Sequence, residues 1–187
     1  MSRVHDAFSA TAREGFLPEN LRDQAWRDQP LPIGYGATNS QPSTVRAMLE
    51  LLEVPQGAKV LDIGSGSGWT TALLAHLTGA SGTVVGVELE PELVEFGNTN
   101  LAVTHRPWAS IEQARPDIFG LPDDAPFDRI LVSAMADELP SELVDQLAPN
   151  GILVIPVDGH MLRITRQGEQ VVTERQGRYV FVPLRRK

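Results

Sequence analysis

The chain has 187 residues, a formal net charge of −8 and no cysteine. A domain commonly holds roughly 100–200 residues, so the length predicts a single domain, residues 1–187, whose core needs no disulfide or structural metal. The lack of cysteine excludes disulfides, thiolate zinc sites and cysteine nucleophiles. The acidic balance argues against nucleic acid as a partner, because general binding to it requires a surplus of Lys and Arg.

No segment of the sequence has the composition of a targeting or membrane element. The first residues lack the apolar run of a signal peptide. The longest apolar run, residues 151–157, is far shorter than the roughly 20 residues of a membrane helix. We therefore expect a soluble, cytoplasmic protein with no membrane partner. Separately, the chain is expected to be a monomer. The basic end, residues 185–187, is expected to be a solubilising tail.

The predicted elements divide the chain into three parts. Residues 1–41 are irregular apart from a short helix predicted over residues 4–14, and Pro and Gly punctuate the loop that follows. Residues 42–157 alternate between strands and helices, which predicts a mostly parallel sheet covered by helices on both faces. Residues 158–187 contain short strands separated by glycine turns, which predicts an antiparallel edge on that sheet.

Runs of apolar residues and their periodicity place the individual elements. The predicted strands cover residues 59–63, 83–88, 109–113, 128–134, 151–157, 161–166, 170–175 and 179–184. The predicted helices cover residues 69–77, 91–101 and 140–147, and a further helix begins near Ser40 and ends before Gly57.

The most informative local motif is the glycine loop, residues 60–68, which reads Val-Leu-Asp-Ile-Gly-Ser-Gly-Ser-Gly. It follows a predicted strand and begins a predicted helix, and its glycines let the chain turn sharply and let a ligand approach the main chain. Glu88 ends the next strand, where a carboxylate can accept hydrogen bonds from both ribose hydroxyls. Taken alone, the glycines fit a tight turn and Glu88 fits a solvated strand end; their joint spacing favours a nucleoside cofactor.

The spacing of the glycines distinguishes between such cofactors. A dinucleotide-binding loop has the pattern G-x-G-x-x-G, and a phosphate-binding loop ends in Gly-Lys followed by Ser or Thr. This loop instead reads D-x-G-x-G-x-G from Asp62 onwards. An acid followed by spaced glycines favours S-adenosylmethionine, which has no phosphate but carries an amino acid group. Asp62 would meet the ammonium of that group, directly or through water.

Further segments of the chain match one methyltransferase family. These are residues 13–18 (Arg-Glu-Gly-Phe-Leu-Pro), 30–42 (Pro-Leu-Pro-Ile-Gly-Tyr-Gly-Ala-Thr-Asn-Ser-Gln-Pro), 125–130, 153–157 and 181–184. On these segments the chain resembles the protein-L-isoaspartate O-methyltransferases, a family of class I S-adenosylmethionine-dependent methyltransferases. The glycine loop is typical of the whole superfamily, whereas residues 30–42 are specific to the family. The resemblance implies a Rossmann-like α/β fold.

The resemblance also implies a reaction. The family transfers a methyl group from S-adenosylmethionine to the free α-carboxylate of an L-isoaspartyl residue in a damaged protein or peptide. The ester then cyclises to a succinimide, which reopens partly to normal aspartate and so repairs the chain. Because a carboxylate is already ionised at neutral pH, no strong general base is needed. We therefore expect hydrogen-bond donors, rather than a charged triad, around the acceptor.

The resemblance implies roles for individual residues. Ser40 matches the family's active-site serine, which contacts the reacting carboxylate, although a serine in this place is by itself more simply an N-cap. Thr38 matches a hydroxyl in the same loop. The residues that we predict to bind the cofactor are Thr38, Asp62, Gly64, Ser65, Gly66, Gly68, Glu88, Leu89 and Asp117.

Two departures from the family pattern concern specificity. The family typically has Ile between the Thr and the Ser, where this chain has Asn39. The family's Gly-Asp-Gly, whose Asp helps to bind adenine, aligns with residues 115–117, which read Arg-Pro-Asp. Asp117 replaces that Asp only if the loop shifts, and is otherwise a solvated acid, so we expect altered adenine contacts.

These departures leave two alternatives to repair of isoaspartyl residues. One is a related methyltransferase that acts on a different carboxylate, in a dedicated peptide or a small molecule. The other is a cofactor-binding module without catalytic activity. Repair of isoaspartyl residues requires a carboxylate substrate. This hypothesis therefore also predicts that the cleft around Ser40 is less acidic than the rest of the surface.

Overall fold

The computed structural model describes residues 2–185 and has a seven-stranded sheet at its centre. Two short strands, β1 (Leu31–Gly34) and β2 (Ala37–Asn39), form a separate antiparallel pair before it. The strands of the main sheet are β3 (Lys59–Ile63), β4 (Thr83–Glu88), β5 (Ala109–Gln113), β6 (Phe127–Val132), β7 (Leu147–Val157), β8 (His160–Gln167) and β9 (Gln170–Arg178).

The strands of the main sheet lie in the order β5-β4-β3-β6-β7-β8-β9. The five strands from β5 to β7 are parallel, and β8 and β9 add to them in antiparallel register. The predicted class is therefore confirmed: a mostly parallel sheet with an antiparallel C-terminal edge. Strand β9 is exposed along its whole length, and its charged and amide side chains suit an edge that must not pair with another chain.

Helices cover both faces of the sheet. Successive residues of a strand point to opposite faces, so the apolar side chains of the sheet need a cover on both sides. On β3, Val60 belongs to one core cluster with Leu73, whereas Leu61 belongs to the other with Leu143. The helices are α1 (Arg3–Ala10), α2 (Pro42–Leu52), α3 (Trp69–Thr78), α4 (Pro91–Ala102) and α5 (Ser141–Asp145). Within residues 2–185, none of these helices has the length and apolar character that a membrane crossing requires.

Two predicted helices are shorter than expected. The first ends at Ala10, and a separate 3₁₀ turn, Arg13–Phe16, follows it. Helix α5 ends at Asp145 because Leu147 already belongs to β7, where it pairs with Phe127 of β6. In both places residues at the predicted end of the helix have tertiary partners outside it.

The strand predicted over residues 179–184 is wrong. The chain leaves the sheet after β9 and crosses the carboxyl end of β6, where it bonds to the backbone of Met135. The Met135 N–H donates to the Val182 carbonyl at 2.7 Å, and the Leu184 N–H donates to the Met135 carbonyl at 2.6 Å. Pro183, between them, has no N–H to offer a sheet ladder. Of the predicted basic tail, residues 186 and 187 lie outside the described residues.

Candidate active site

A large cavity lies at the carboxyl edge of the parallel strands. The carboxyl ends of β3, β4 and β6 meet there, as expected for the binding crevice of an open α/β sheet. We call it the main cavity; it has a volume of about 860 Å³ with its mouth included, a size typical of small-molecule sites. Its lining comes from parts of six segments: residues 35–40, 63–66, 87–90, 114–120, 133–134 and 182–185.

The glycine loop connects β3 to α3 in a conformation that requires glycine. Gly64, Gly66 and Gly68 have φ values of 77°, 51° and 86°, in the left-handed region that side chains disfavour. Gly64 and Gly66 line the main cavity. Gly68 instead begins α3 against α4, where an added Cβ would lie 3.0 Å from the Gly97 carbonyl oxygen. The structure therefore brings two of the three predicted glycines to the cavity.

Glu88 joins the end of β4 to the glycine loop. One carboxylate oxygen accepts a hydrogen bond from the Gly66 N–H at 2.9 Å, and the other accepts from the N–H groups of Leu89 at 2.6 Å and Glu90 at 3.3 Å. Glu88 and Leu89 both line the main cavity. The two oxygens of Glu88 have four lone pairs and these bonds use three, so Glu88 can hold this loop and still accept one bond from a ligand.

Asp62 lies buried beneath the glycine loop. One of its oxygens accepts hydrogen bonds from the Thr70 and Thr71 hydroxyls, both at 2.7 Å, and the other has no hydrogen-bond partner. Burial raises the pKa of Asp62 to about 6, against the opposing effect of the two threonine bonds, and the charge of Glu88 adds to the rise. Asp62 is not part of the cavity wall, so its contact with a cofactor ammonium stays a prediction.

The raised pKa of Asp62 predicts a pH-dependent stability. The unfolded chain loses the Asp62 proton near pH 4, whereas the folded protein keeps it to about pH 6. Over that interval the folded state binds more protons, so the free energy of unfolding falls as pH rises. Asp62→Asn should remove about 2–3 kcal/mol of this fall.

Urea denaturation of the wild type and the Asp62→Asn variant between pH 4 and pH 7 measures this difference. Asp145→Asn is the matched control, because Asp145 is exposed at the end of α5. Equal pH profiles for the wild type and Asp62→Asn would show that Asp62 does not titrate in this range.

Thr38 and Ser40 lie where three cavities meet. Besides the main cavity, they line a small inner cavity together with Ser65, Ser67 and Trp69. They also line an outer cleft, which is completed by Pro30, Gln41, Thr44, Ser133, Val180, Phe181 and Val182. Within residues 2–185, no charged side chain lines the outer cleft.

The N-cap interpretation of Ser40 is wrong. The N-cap residue of helix α2 is Gln41, and its side chain makes no capping hydrogen bond to the helix. The helix start is held by Asp28 instead, whose carboxylate accepts bonds from the Ser43 N–H at 2.8 Å and the Gln41 amide at 3.2 Å. These bonds lower the pKa of Asp28. The Ser40 hydroxyl is therefore not needed by the helix.

A buried arginine that our sequence reasoning did not single out fixes the loop around Ser40. The Arg13 side chain lies against the Trp69 ring, 5.5 Å from its centroid, and its five N–H groups reach six acceptors, one N–H being shared between two of them. One acceptor is the Asn39 side-chain oxygen at 2.8 Å. The others are the carbonyl oxygens of Ala25, Arg27, Gln29, Asn39 and Ser40.

Asn39 therefore has a structural partner on each side. Its amide nitrogen donates to the Ser67 hydroxyl in the glycine loop at 3.1 Å, while its oxygen accepts from Arg13. The residue is 4% exposed. Asn39, which stands where the family typically has Ile, links two loops of the site. This structural role accounts for the residue, so the departure gives no support to a changed acceptor.

The loop predicted to bind adenine does not bring Asp117 to the main cavity. Asp117 is exposed, with a φ of 64°. Arg115, Ile118 and Phe119 line the cavity at this point, and Arg115 pairs with Asp123 at 2.8 Å. The wall at this point is thus formed by two apolar side chains and a cation, and the altered adenine contacts stay a prediction.

Comparison with known proteins identifies close relatives. A family model described as protein-L-isoaspartate(D-aspartate) O-methyltransferase matches residues 1–187. Curated proteins named protein-L-isoaspartate O-methyltransferase are similar in sequence. The one from Methanothrix thermoacetophila is 41% identical, over 97% of this chain and 87% of its own. The one from Methanopyrus kandleri is 43% identical, over 98% and 83%.

A solved structure extends the similarity to the fold. A crystal structure from Plasmodium falciparum, in complex with S-adenosyl-L-homocysteine, matches with a TM-score of 0.85 and 27% identity. The match covers 100% of this chain and 92% of that one. Together with the sequence matches, it confirms the family resemblance and the Rossmann-like methyltransferase fold.

Proposed function

Because the chain belongs to the protein-L-isoaspartate(D-aspartate) O-methyltransferase family, we propose that it methylates the free α-carboxylate of L-isoaspartyl residues in damaged proteins, with Ser40 at the acceptor. Family membership makes it a methyltransferase that uses S-adenosylmethionine. The observation that carries the proposal is the meeting of the main cavity and the outer cleft at Thr38 and Ser40.

The residues of the main cavity fit S-adenosylmethionine. In its lining, Gly64 and Gly66 present backbone without side chains and Glu88 presents a carboxylate. Beneath the glycine loop, outside the cavity wall, one oxygen of buried Asp62 is without a partner. Glu88 would hold the ribose through one hydroxyl, and the unpartnered Asp62 oxygen, beneath the glycine loop, would attract the ammonium by its charge. The cofactor, when bound, supplies a methyl group activated by a positively charged sulfonium.

The outer cleft fits an anionic acceptor. Its described lining contains hydroxyls, amide and apolar groups but no carboxylate, so an incoming carboxylate meets no negative side chain there despite the net charge of −8. Ser40 would donate a hydrogen bond to one acceptor oxygen and hold it toward the main cavity. Since the acceptor is already ionised, positioning rather than proton removal is the task of these residues.

The proposal includes a monomer that works in the cytoplasm on isoaspartyl-containing proteins.

Methylation of two isomeric peptides tests the proposal. A peptide with one L-isoaspartyl residue should accept labelled methyl groups, and the same sequence with a normal aspartyl residue should not. Equal labelling of both peptides, or labelling of neither, would contradict the proposed acceptor.

Ser40→Ala should lower turnover more than cofactor affinity. The variant loses one hydrogen bond to a charged oxygen, so we expect about a tenfold fall in kcat/KM for the peptide. The dissociation constant for S-adenosylmethionine, measured by calorimetry, should change little. Ser110→Ala is the control, since Ser110 is exposed on β5. Lost cofactor binding with an unchanged rate at saturation would make Ser40 a cofactor residue instead.

A further inference from the structure

Ser133 occupies a special place in the site, directly after β6. Its backbone N–H donates to the Ile63 carbonyl at 2.8 Å, which fixes it beside the glycine loop. Within residues 2–185, only Thr38, Ser40 and Ser133 line the main cavity, the inner cavity and the outer cleft alike. Ser133 is therefore a third hydroxyl at the point where donor and acceptor would meet.

The Ser133 hydroxyl has no hydrogen-bond partner, although its oxygen is buried. Buried hydroxyls are nearly always bonded, so an unbonded one needs an explanation. No structural bond holds this side chain in its rotamer, and it can turn about χ1 toward a ligand without losing a hydrogen bond. Its backbone, by contrast, is fixed by the Ile63 bond, which limits the position of the hydroxyl.

The other unpartnered buried atoms lie elsewhere in the site. Within residues 2–185, they are the Ser65 hydroxyl and one oxygen of Asp62. Ser65 lines the inner cavity but not the outer cleft, and Asp62 lines neither. These two suit the amino acid end of the cofactor, whereas Ser133 reaches the side from which a peptide would enter.

We propose that Ser133 donates a hydrogen bond to the second oxygen of the acceptor carboxylate, while Ser40 serves the first. This inference rests on the proposed function. Ser40 comes from the loop before α2 and Ser133 from the end of β6, so the two hydroxyls approach the junction from different parts of the fold. A carboxylate held by two donors on separate elements has a fixed orientation as well as a fixed position.

Ser133→Ala tests the inference. We expect about a tenfold fall in kcat/KM for an isoaspartyl peptide, with unchanged affinity for S-adenosylhomocysteine. A second readout is the affinity of the peptide for protein saturated with S-adenosylhomocysteine, which permits no reaction; it should fall by about the same factor. Ser133→Thr keeps the hydroxyl and should restore most of both, and Ser110→Ala should behave as the wild type.

The outcomes separate this inference from the proposed function. If the wild type methylates the peptide and Ser133→Ala matches it in both readouts, the role of Ser133 is overturned and the proposed function stands. A variant that loses affinity for S-adenosylhomocysteine instead would also overturn it, because the hydroxyl would then serve the cofactor. A wild type that binds cofactor but methylates no isoaspartyl peptide would overturn the proposed function and, with it, the acceptor assigned to Ser133.

Discussion

Arg13→Met is expected to lower the free energy of unfolding by about 3–5 kcal/mol. The substitution keeps much of the side-chain volume but removes the hydrogen bonds to all six acceptors. The carbonyl oxygens of Asn39 and Ser40 would lose their hydrogen bonds from Arg13. Leaving buried acceptors without a partner is costly. Burial lowers the pKa of Arg13 to about 10, so the guanidinium is still charged at neutral pH.

Chemical denaturation at pH 7 measures this effect. Arg13→Lys should recover only part of the loss, because an ammonium has three donors at a single nitrogen and cannot replace the planar fork of a guanidinium. Arg178→Met is the matched control, since Arg178 is exposed on β9. A loss below about 1 kcal/mol for Arg13→Met would show that the loop does not depend on this residue.

Glu88→Ala is expected to weaken binding of S-adenosylmethionine about a hundredfold. The carboxylate lines the main cavity and has one lone pair left for a ribose hydroxyl, and a bond to a charged group contributes about 1.5–3 kcal/mol, which is up to about a hundredfold in affinity. The variant also loses the bond to the Gly66 N–H, which helps to hold the glycine loop. Turnover at saturating cofactor should change less than affinity, since Glu88 does not line the outer cleft.

Calorimetric titration with S-adenosylmethionine gives the dissociation constants. Glu112→Ala is the control, because it removes an exposed carboxylate from the neighbouring strand β5 and leaves the cavity intact. Thermal unfolding of both variants would show whether the loop change affects the fold. An unchanged dissociation constant for Glu88→Ala would exclude the ribose contact.

The parallel sheet could be predicted from the sequence because its strands are buried on both faces. Residues 59–63 and 83–88 are rich in Val, Leu and Ile, and the strands β3 and β4 have the predicted bounds. The glycine loop was equally clear, since its conformation depends on local backbone freedom. Such features are encoded within a few residues of the chain.

The features that could not be predicted depend on contacts between distant residues. Arg13 and Asn39 are 26 positions apart, and no local sequence pattern predicts the hydrogen bond between their side chains. The apolar run of residues 179–184 is typical of a strand, but this segment bonds to the backbone of Met135 instead. Ser40 has the sequence context of an N-cap, yet Asp28, far from it along the chain, holds the helix start.

The repair reaction itself is the most direct test of the central claim, that the acceptor is the α-carboxylate of an isoaspartyl residue. An isoaspartyl peptide is incubated with the protein and S-adenosylmethionine, and its products are separated and identified by mass spectrometry over time. We predict a methyl ester first, then a succinimide, then a growing fraction of the normal aspartyl peptide. An isoaspartyl peptide that stays unmethylated, in the presence of protein that binds the cofactor, would contradict the account.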